Sequence, residues 1–249
     1  MQTNPTGASR RRPGYPWAVP RAAMRATWDA AATSQRLHAY VGDPATARAE
    51  LESLFSRLGA DLGGDVCVEV GCGPGRMTGY LAQRFRRVIA VDISPAMLER
   101  ARAAVPAANV DFRLVSGERL DGVEDAACDT AVCYLVLQHL PHRRLVLSYL
   151  RELGRVLAPG GRALVQLPVL REGARPRLWR AVRTAVVPLA SLLARDVAGR
   201  ASYRGFRLTE SELAAGIAAS GLQVAARDES PSSPYRFARE VFLRLERRA

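Results

Sequence analysis

The chain contains no lysine. Its 36 basic side chains are all arginine, which excludes every mechanism built on a lysine amine, Schiff bases among them. Cysteine is scarce. Cys67, Cys72, Cys128 and Cys133 fall in two pairs five apart, with no Cys-x-x-Cys and no neighbouring histidine. That spacing argues against a zinc site and suits small residues in or beside strands. Aromatics make up 6% of the residues, and no apolar run nears the roughly 20 residues that span a bilayer. The longest candidates are residues 131–137 and 185–194, the second interrupted by Pro188 and Ser191. Arg10–Arg12 precede a stretch broken by Pro13, Pro16 and Pro20, too short for the core of a secretion signal. A cytoplasmic protein is therefore expected. At 249 residues, with 48% hydrophobic content and a mean hydropathy of −0.07, the chain is long enough for one sizeable core without disulfides.

The net charge of +12 is unevenly placed. Residues 1–25 carry +5, residues 26–170 are neutral, and residues 171–207 carry +7. Such asymmetry points to an anionic partner, to a membrane surface, or to solvated arginine alone.

Organisation follows from periodicity. Residues 1–20, rich in Arg, Pro and Gly, read as a basic arm. Residues 21–60 read as a helical cap, with helices over Arg21–Tyr40 and Ala45–Leu58. From residue 61 onwards apolar runs alternate with helical periods. Strands are predicted at Val66–Val70, Val88–Val91, Val110–Leu114, Thr130–Leu135, Ala163–Leu167, Leu222–Ala226 and Glu240–Leu245. Helices are predicted at Met77–Arg84, Pro95–Val105, Arg143–Leu157 and Thr209–Ala219. The alternation predicts an α/β fold: a Rossmann-like, doubly wound, seven-stranded, mostly parallel sheet. Residues 169–208 interrupt it after the fifth strand as a helical insertion, with Arg177–Arg195 helical and broken at Pro188. An insertion of that length is a candidate lid, or a cover for an apolar edge.

The segment Asp65–Arg76, DVCVEVGCGPGR, concentrates the chemistry. An apolar run reaches Glu69, then Gly71, Gly73 and Gly75 alternate before a helix. Glycine there permits positive φ and lets a ligand lie against backbone at a helix N-terminus. A dinucleotide fingerprint would place its third glycine at position 76, which is Arg76.

This E-x-G-x-G-x-G run resembles motif I of the class I S-adenosylmethionine-dependent methyltransferases, and the likeness continues along the chain. VIAVDISPAML ends its strand at Asp92; DTAVCYLVLQHLP (129–141), LRELGRVLAPGGRALV (150–165) and YRGFRLTESELAAGIAASGLQV (203–224) match later family segments in order. The resemblance covers about residues 61–224. It implies a cofactor site for S-adenosylmethionine, released as S-adenosylhomocysteine, built from Glu69, Gly71, Cys72, Gly73, Gly75, Asp92, Ile93, Met97, Ser116, Gly117, Glu118 and Tyr134. Glu69 is expected near the amino-acid portion, Asp92 on the ribose hydroxyls and Ile93 beside the adenine. The sequence departs from the family where an acid often meets the adenine amino group: Val115-Ser116-Gly117-Glu118 puts Ser116 there.

The resemblance makes His139, after the fourth strand, the candidate catalytic base. The signatures of exocyclic-amine and cytosine C5 methylation are absent, no metal site is recognisable, and without lysine the Lys–Asp–Lys–Glu tetrad of ribose 2′-O methylation is excluded. The leading expectation is a small-molecule acceptor, O-methylated before N- or C-methylated, and acidic if the insertion's arginines meet it. It would lie between the N-terminal helices and the insertion, with Trp28, Tyr40, Trp179, Tyr203 and Phe206 available to line the space. A homodimer is also among the expectations. The alternatives are a nucleic-acid methyltransferase that uses the basic arm and insertion, and a regulatory subunit that binds the cofactor without catalysis.

Overall fold

The protein's structure, a computed structural model, describes residues 21–34, 37–193, 205–230 and 237–248. The basic arm and Tyr203 lie outside the described residues, as does the side chain of Tyr40.

Seven strands form one sheet: β1 Gly64–Val70, β2 Phe85–Asp92, β3 Val110–Leu114, β4 Cys128–Cys133, β5 Leu157–Leu170, β6 Leu222–Glu229 and β7 Ala238–Arg247. Their order is β3-β2-β1-β4-β5-β7-β6, parallel except for β7, which runs antiparallel to both neighbours. The helices are α1 Arg21–Ala32, α2 His38–Val41, α3 Ala47–Arg57, α4 Thr78–Arg84, α5 Pro95–Ala104, α6 Arg143–Val156, α7 Ala174–Leu193 and α8 Glu210–Ala218.

Alternation along the central strands explains why both faces are covered. Val68, Val70, Ala131, Cys133, Ala163 and Val165 join one core with Leu150 and Leu153 of α6 and Leu213 and Ile217 of α8. Cys67, Val88, Ala90, Val132 and Leu164 point the other way, into a core with Leu51, Leu54 and Phe55 of α3 and Leu81 of α4. Burial raises the pKa of all four cysteine thiols, so they stay protonated.

Several predicted boundaries move. The single helix over Arg21–Tyr40 is two, α1 and α2, with a break after Ala32. β4 stops at Cys133 instead of Leu135, because Leu135 adopts φ 59° and turns the chain out of the sheet. α7 runs through Pro188 without the predicted break; proline removes one helical hydrogen bond there but need not end the helix. β5 carries residues 157–161 as a bulge, since Cys128 pairs with Leu157 while Thr130 pairs with Arg162.

The insertion is a closed excursion. Leu170 N–H donates to the Leu208 carbonyl at 2.8 Å, so the chain leaves β5 and returns beside it. Among the described residues no helix is long and apolar enough to cross a membrane.

Candidate functional site

Strand order reverses direction between β1 and β4, and a cleft opens there at the carboxyl ends of the strands, where open α/β sheets take their ligands. Its floor is the β1–α4 loop, from Glu69 to Met77. Asp92 at the end of β2 with Ile93, and Val115 after β3, form one wall, Tyr134–Val136, His139 and Leu140 after β4 the other, and Met24, Trp28 and Val41 of α1 and α2 the roof.

The loop's conformation comes from its glycines. Gly71 has φ 69° and sits so close to Val136 that a Cβ would lie 2.5 Å from Cγ2. Gly73 has φ 54°, and a Cβ there would meet only Val41, at 3.9 Å. The space beside Gly73 belongs to the cleft, so a ligand can approach its backbone closely.

Asp92 is buried and braces this loop. Its Oδ2 accepts from Gly73 N–H at 2.9 Å and its Oδ1 from Ser94 N–H at 2.9 Å. Burial raises its pKa, with the backbone N–H groups of Ser94, Gly73 and Ile93 opposing the shift. A carboxylate has about four acceptor positions, so these bonds leave Asp92 acceptor capacity for a ligand hydroxyl. Glu69, at the end of β1, is also buried; Thr78 Oγ1 donates to its Oε2 at 2.6 Å. Desolvation pushes its pKa up to about 8, with the Thr78 bond and the Arg76 charge pulling the other way. Glu69 thus titrates well above the usual carboxylate range.

The roof is fastened by polar bonds that the sequence did not announce. Arg25 Nε donates to the Ile93 carbonyl at 3.0 Å, and Ser94 Oγ donates to Asp29 at 2.5 Å while capping α5 through Met97 N–H. Arg76, where a dinucleotide loop would have glycine, is buried and pairs in two-pronged fashion with Glu50 of α3, at 3.0 and 3.1 Å. The Tyr134 ring lies beside that pair, and burial together with the Glu50 carboxylate raises its pKa.

Of the residues assigned from the sequence, Glu69, Gly71, Cys72, Gly73, Asp92, Ile93, Met97, Tyr134 and His139 line one cleft. Gly75, Ser116, Gly117 and Glu118 do not. At Gly75 a Cβ would lie 3.1–3.3 Å from Val105 and Ala101, which marks a packing contact with α5 and the residue after it. Gly117 abuts Ile93 from behind, and the Ser116 hydroxyl accepts from Glu118 N–H at 3.3 Å while its own N–H donates to Asp121. Trp28 meets His139 edge to face, with ring centroids 5.1 Å apart.

Behind His139 lies a chain of amides. Gln166, fully buried on β5, accepts from Leu135 N–H at 3.2 Å and donates to Gln138 at 3.3 Å and to Glu240 at 3.0 Å. Gln138 in turn lies 3.1 Å from His139 Nε2. One signal of this was legible: a glutamine inside the apolar run of residues 163–170.

None of the described residues of the insertion lines the cleft, Trp179 and Phe206 included. Three of its described arginines hold structure instead. Arg180 pairs with Glu212 at 2.5 Å, Arg183 donates to the Gly205 carbonyl at 2.6 Å, and Arg207 stacks on Trp179. Among the described residues no group of three or more His, Cys, Asp or Glu is arranged to hold a metal ion.

A switch-point cleft with a glycine loop and a buried acid at the end of β2 defines a class I S-adenosylmethionine-dependent methyltransferase fold. The comparisons agree. Residues 68–165 match the family described as "Methyltransferase domain". It is 38% identical over 137 residues, 54% of its length, to a trans-aconitate 2-methyltransferase of Methylobacterium radiotolerans, covering 50% of that relative. It is 29% identical over 199 residues, 79% of its length, to a ubiquinone biosynthesis O-methyltransferase of Xanthomonas euvesicatoria, covering 75% of it. The chain spans about half the length of most of the curated relatives it matches. In fold it is similar to the N-methyltransferase NodS of Bradyrhizobium japonicum solved with S-adenosyl-L-homocysteine: TM-score 0.62, 15% identity, 90% of this chain and 97% of that one.

Proposed function

We propose that the chain transfers a methyl group from S-adenosylmethionine to a small-molecule acceptor, an organic acid before a neutral compound. The observation that carries the reading is the Asp92–Gly73 pair: a buried carboxylate that fixes a left-handed glycine and retains acceptor capacity toward the cleft. The residues present fit the cofactor. Asp92 would hold the ribose hydroxyls, Ile93 and Met97 the adenine, the backbone at Gly71 and Gly73 the amino-acid portion, and Glu69 its ammonium. The bound cofactor supplies a methyl group already activated by a sulfonium.

What the protein adds is placement and exclusion of water. Holding two reactants at near-attack distance supplies roughly 7–11 kcal/mol of a barrier. α1, fastened by Arg25 and Asp29, closes the cleft from above and brings Trp28 against His139. The acceptor is assigned to the side bounded by Trp28, Leu135 and His139. One consideration supports an acidic one: the relative named for trans-aconitate.

A labelled-methyl screen of metabolite extracts, with and without RNase, tests the reading. Label should enter small molecules whether or not RNase is present. Label confined to RNase-sensitive material would contradict it.

A further inference from the structure

The amide chain behind His139 has a direction, and one backbone group sets it. Leu135 N–H can only donate, so the Gln166 atom 3.2 Å from it is the oxygen. The other end of Gln166 is then its NH2, which suits its contact with the Glu240 carboxylate at 3.0 Å. The same NH2 reaches Gln138 at 3.3 Å, so the Gln138 atom there is oxygen. The opposite end of Gln138, 3.1 Å from His139 Nε2, is therefore also an NH2. An amide nitrogen donates and does not accept. His139 Nε2 must accept, and the proton of the neutral imidazole sits on Nδ1.

Reversing either amide would set donor against donor or oxygen against carboxylate. Leu135, whose N–H starts the chain, is a non-glycine residue at φ 59° on the cleft wall. Such strain persists only where the surroundings over-determine it. The buried Gln166 is the group that does so here.

We propose that Gln166 and Gln138 are positioning residues that hold His139 in its Nδ1–H tautomer with the Nε2 lone pair occupied and Nδ1 buried, so that the ring bounds the cleft beside Trp28 and does not deprotonate the methyl acceptor. The acceptor is then one whose nucleophilic atom has no proton to lose, a carboxylate. One of its oxygens forms the new O–CH3 bond as the S–CH3 bond breaks. The bonding pair stays on sulfur, the sulfonium charge and the carboxylate charge cancel, and a methyl ester and a thioether result with no proton released. This acceptor class rests on the methyl-transfer reading; the tautomer does not.

Two measurements test the proposal separately. With three histidines in the chain, the imidazole nitrogens resolve in long-range 1H–15N spectra of 15N-histidine-labelled protein, and His139→Gln identifies the resonances of His139. The wild type should show a protonated Nδ1 and an unprotonated Nε2. In Gln138→Glu the new carboxylate still accepts from Gln166 but cannot donate, so the proton should move to Nε2 or a second one should be added there. A wild-type Nε2–H form, or an unchanged Nδ1–H form in Gln138→Glu, would overturn the relay. If that variant fails to fold, the wild-type spectrum alone decides.

The second measurement reads the transferred label in the extract assay. A carboxyl methyl ester releases its label as methanol in mild alkali, whereas ethers and methylamines keep it. Alkali-stable label would overturn the carboxylate class. No transfer at all would refute the methyl-transfer reading and with it the acceptor class, leaving the spectrum to judge the tautomer.

Discussion

Asp92 and Glu69 show how two carboxyl groups a few residues from the same glycine loop come to differ. Asp92 is held by backbone N–H groups, Gly73 and Ser94 among them; Glu69 has a single hydroxyl donor, and burial pushes its pKa up to about 8. The unfolded carboxyl titrates near 4.5, so the folded protein binds a proton at Glu69 more tightly than the unfolded chain. Its stabilising contribution is complete below about 4.5 and is lost as pH rises toward 8. A ligand ammonium beside Glu69 reverses the preference. Binding S-adenosylhomocysteine at pH 7 should therefore release a proton, and affinity should rise with pH until about 8 and then level. Calorimetry in buffers of different ionisation enthalpy measures this directly; Glu69→Gln should abolish the release. For Asp92→Ala the affinity should fall by about 1.5–3 kcal/mol, the worth of a lost charged hydrogen-bonding group. Asp92→Asn should cost nearly as much, because an amide cannot accept from both Gly73 and Ser94; equal affinities for wild type and Asn would remove Asp92 from the ribose.

The elements around the site do their work through contacts that periodicity does not encode. Glu69, the alternating glycines and Asp92 were legible because their chemistry sits in one contiguous strand–loop–helix segment and at the end of the next strand. The Arg76–Glu50 pair, the Asp29–Ser94 bond and the Gln166–Gln138 chain join residues 26, 65 and 28 positions apart, and no local pattern reports such a meeting. The insertion shows the same limit. Its arginines suggested a lid, yet Arg180 and Arg183 tie α7 to residues 205–212, and Gly205 presses on the loop that carries His139. A Cβ at Gly205 would lie 1.6 Å from the Gln138 carbonyl. Gly205→Ala must push that loop, so it should cost about 1–3 kcal/mol in denaturant unfolding and impair methyl transfer more than cofactor binding. Arg180→Gln should cost only about 1.5 kcal/mol, since Glu212 keeps Arg143 and the Thr209 N–H as partners. Unchanged unfolding midpoints would show α7 to be loosely attached.

For the whole molecule, the alternation of strands and helices predicted a doubly wound parallel sheet, and that fold is present with all seven strands. What periodicity could not supply was the antiparallel β7 between β5 and β6, because strand direction depends on where the chain returns and not on its local pattern. The fold in turn places the cleft: four parallel strands deliver their carboxyl ends to one edge, and the reversal between β1 and β4 opens it. The central claim is that this cleft takes S-adenosylmethionine against the Gly73 backbone. The most direct test is a calorimetric titration of S-adenosylhomocysteine into the wild type and Gly73→Val, each checked for native circular dichroism. Micromolar binding by the wild type, the usual range for cofactors and substrates, and none by Gly73→Val is expected, since the valine would fill the ligand's space and strain a φ of 54°. Absence of binding by the wild type, or an undiminished affinity in folded Gly73→Val, would contradict the account.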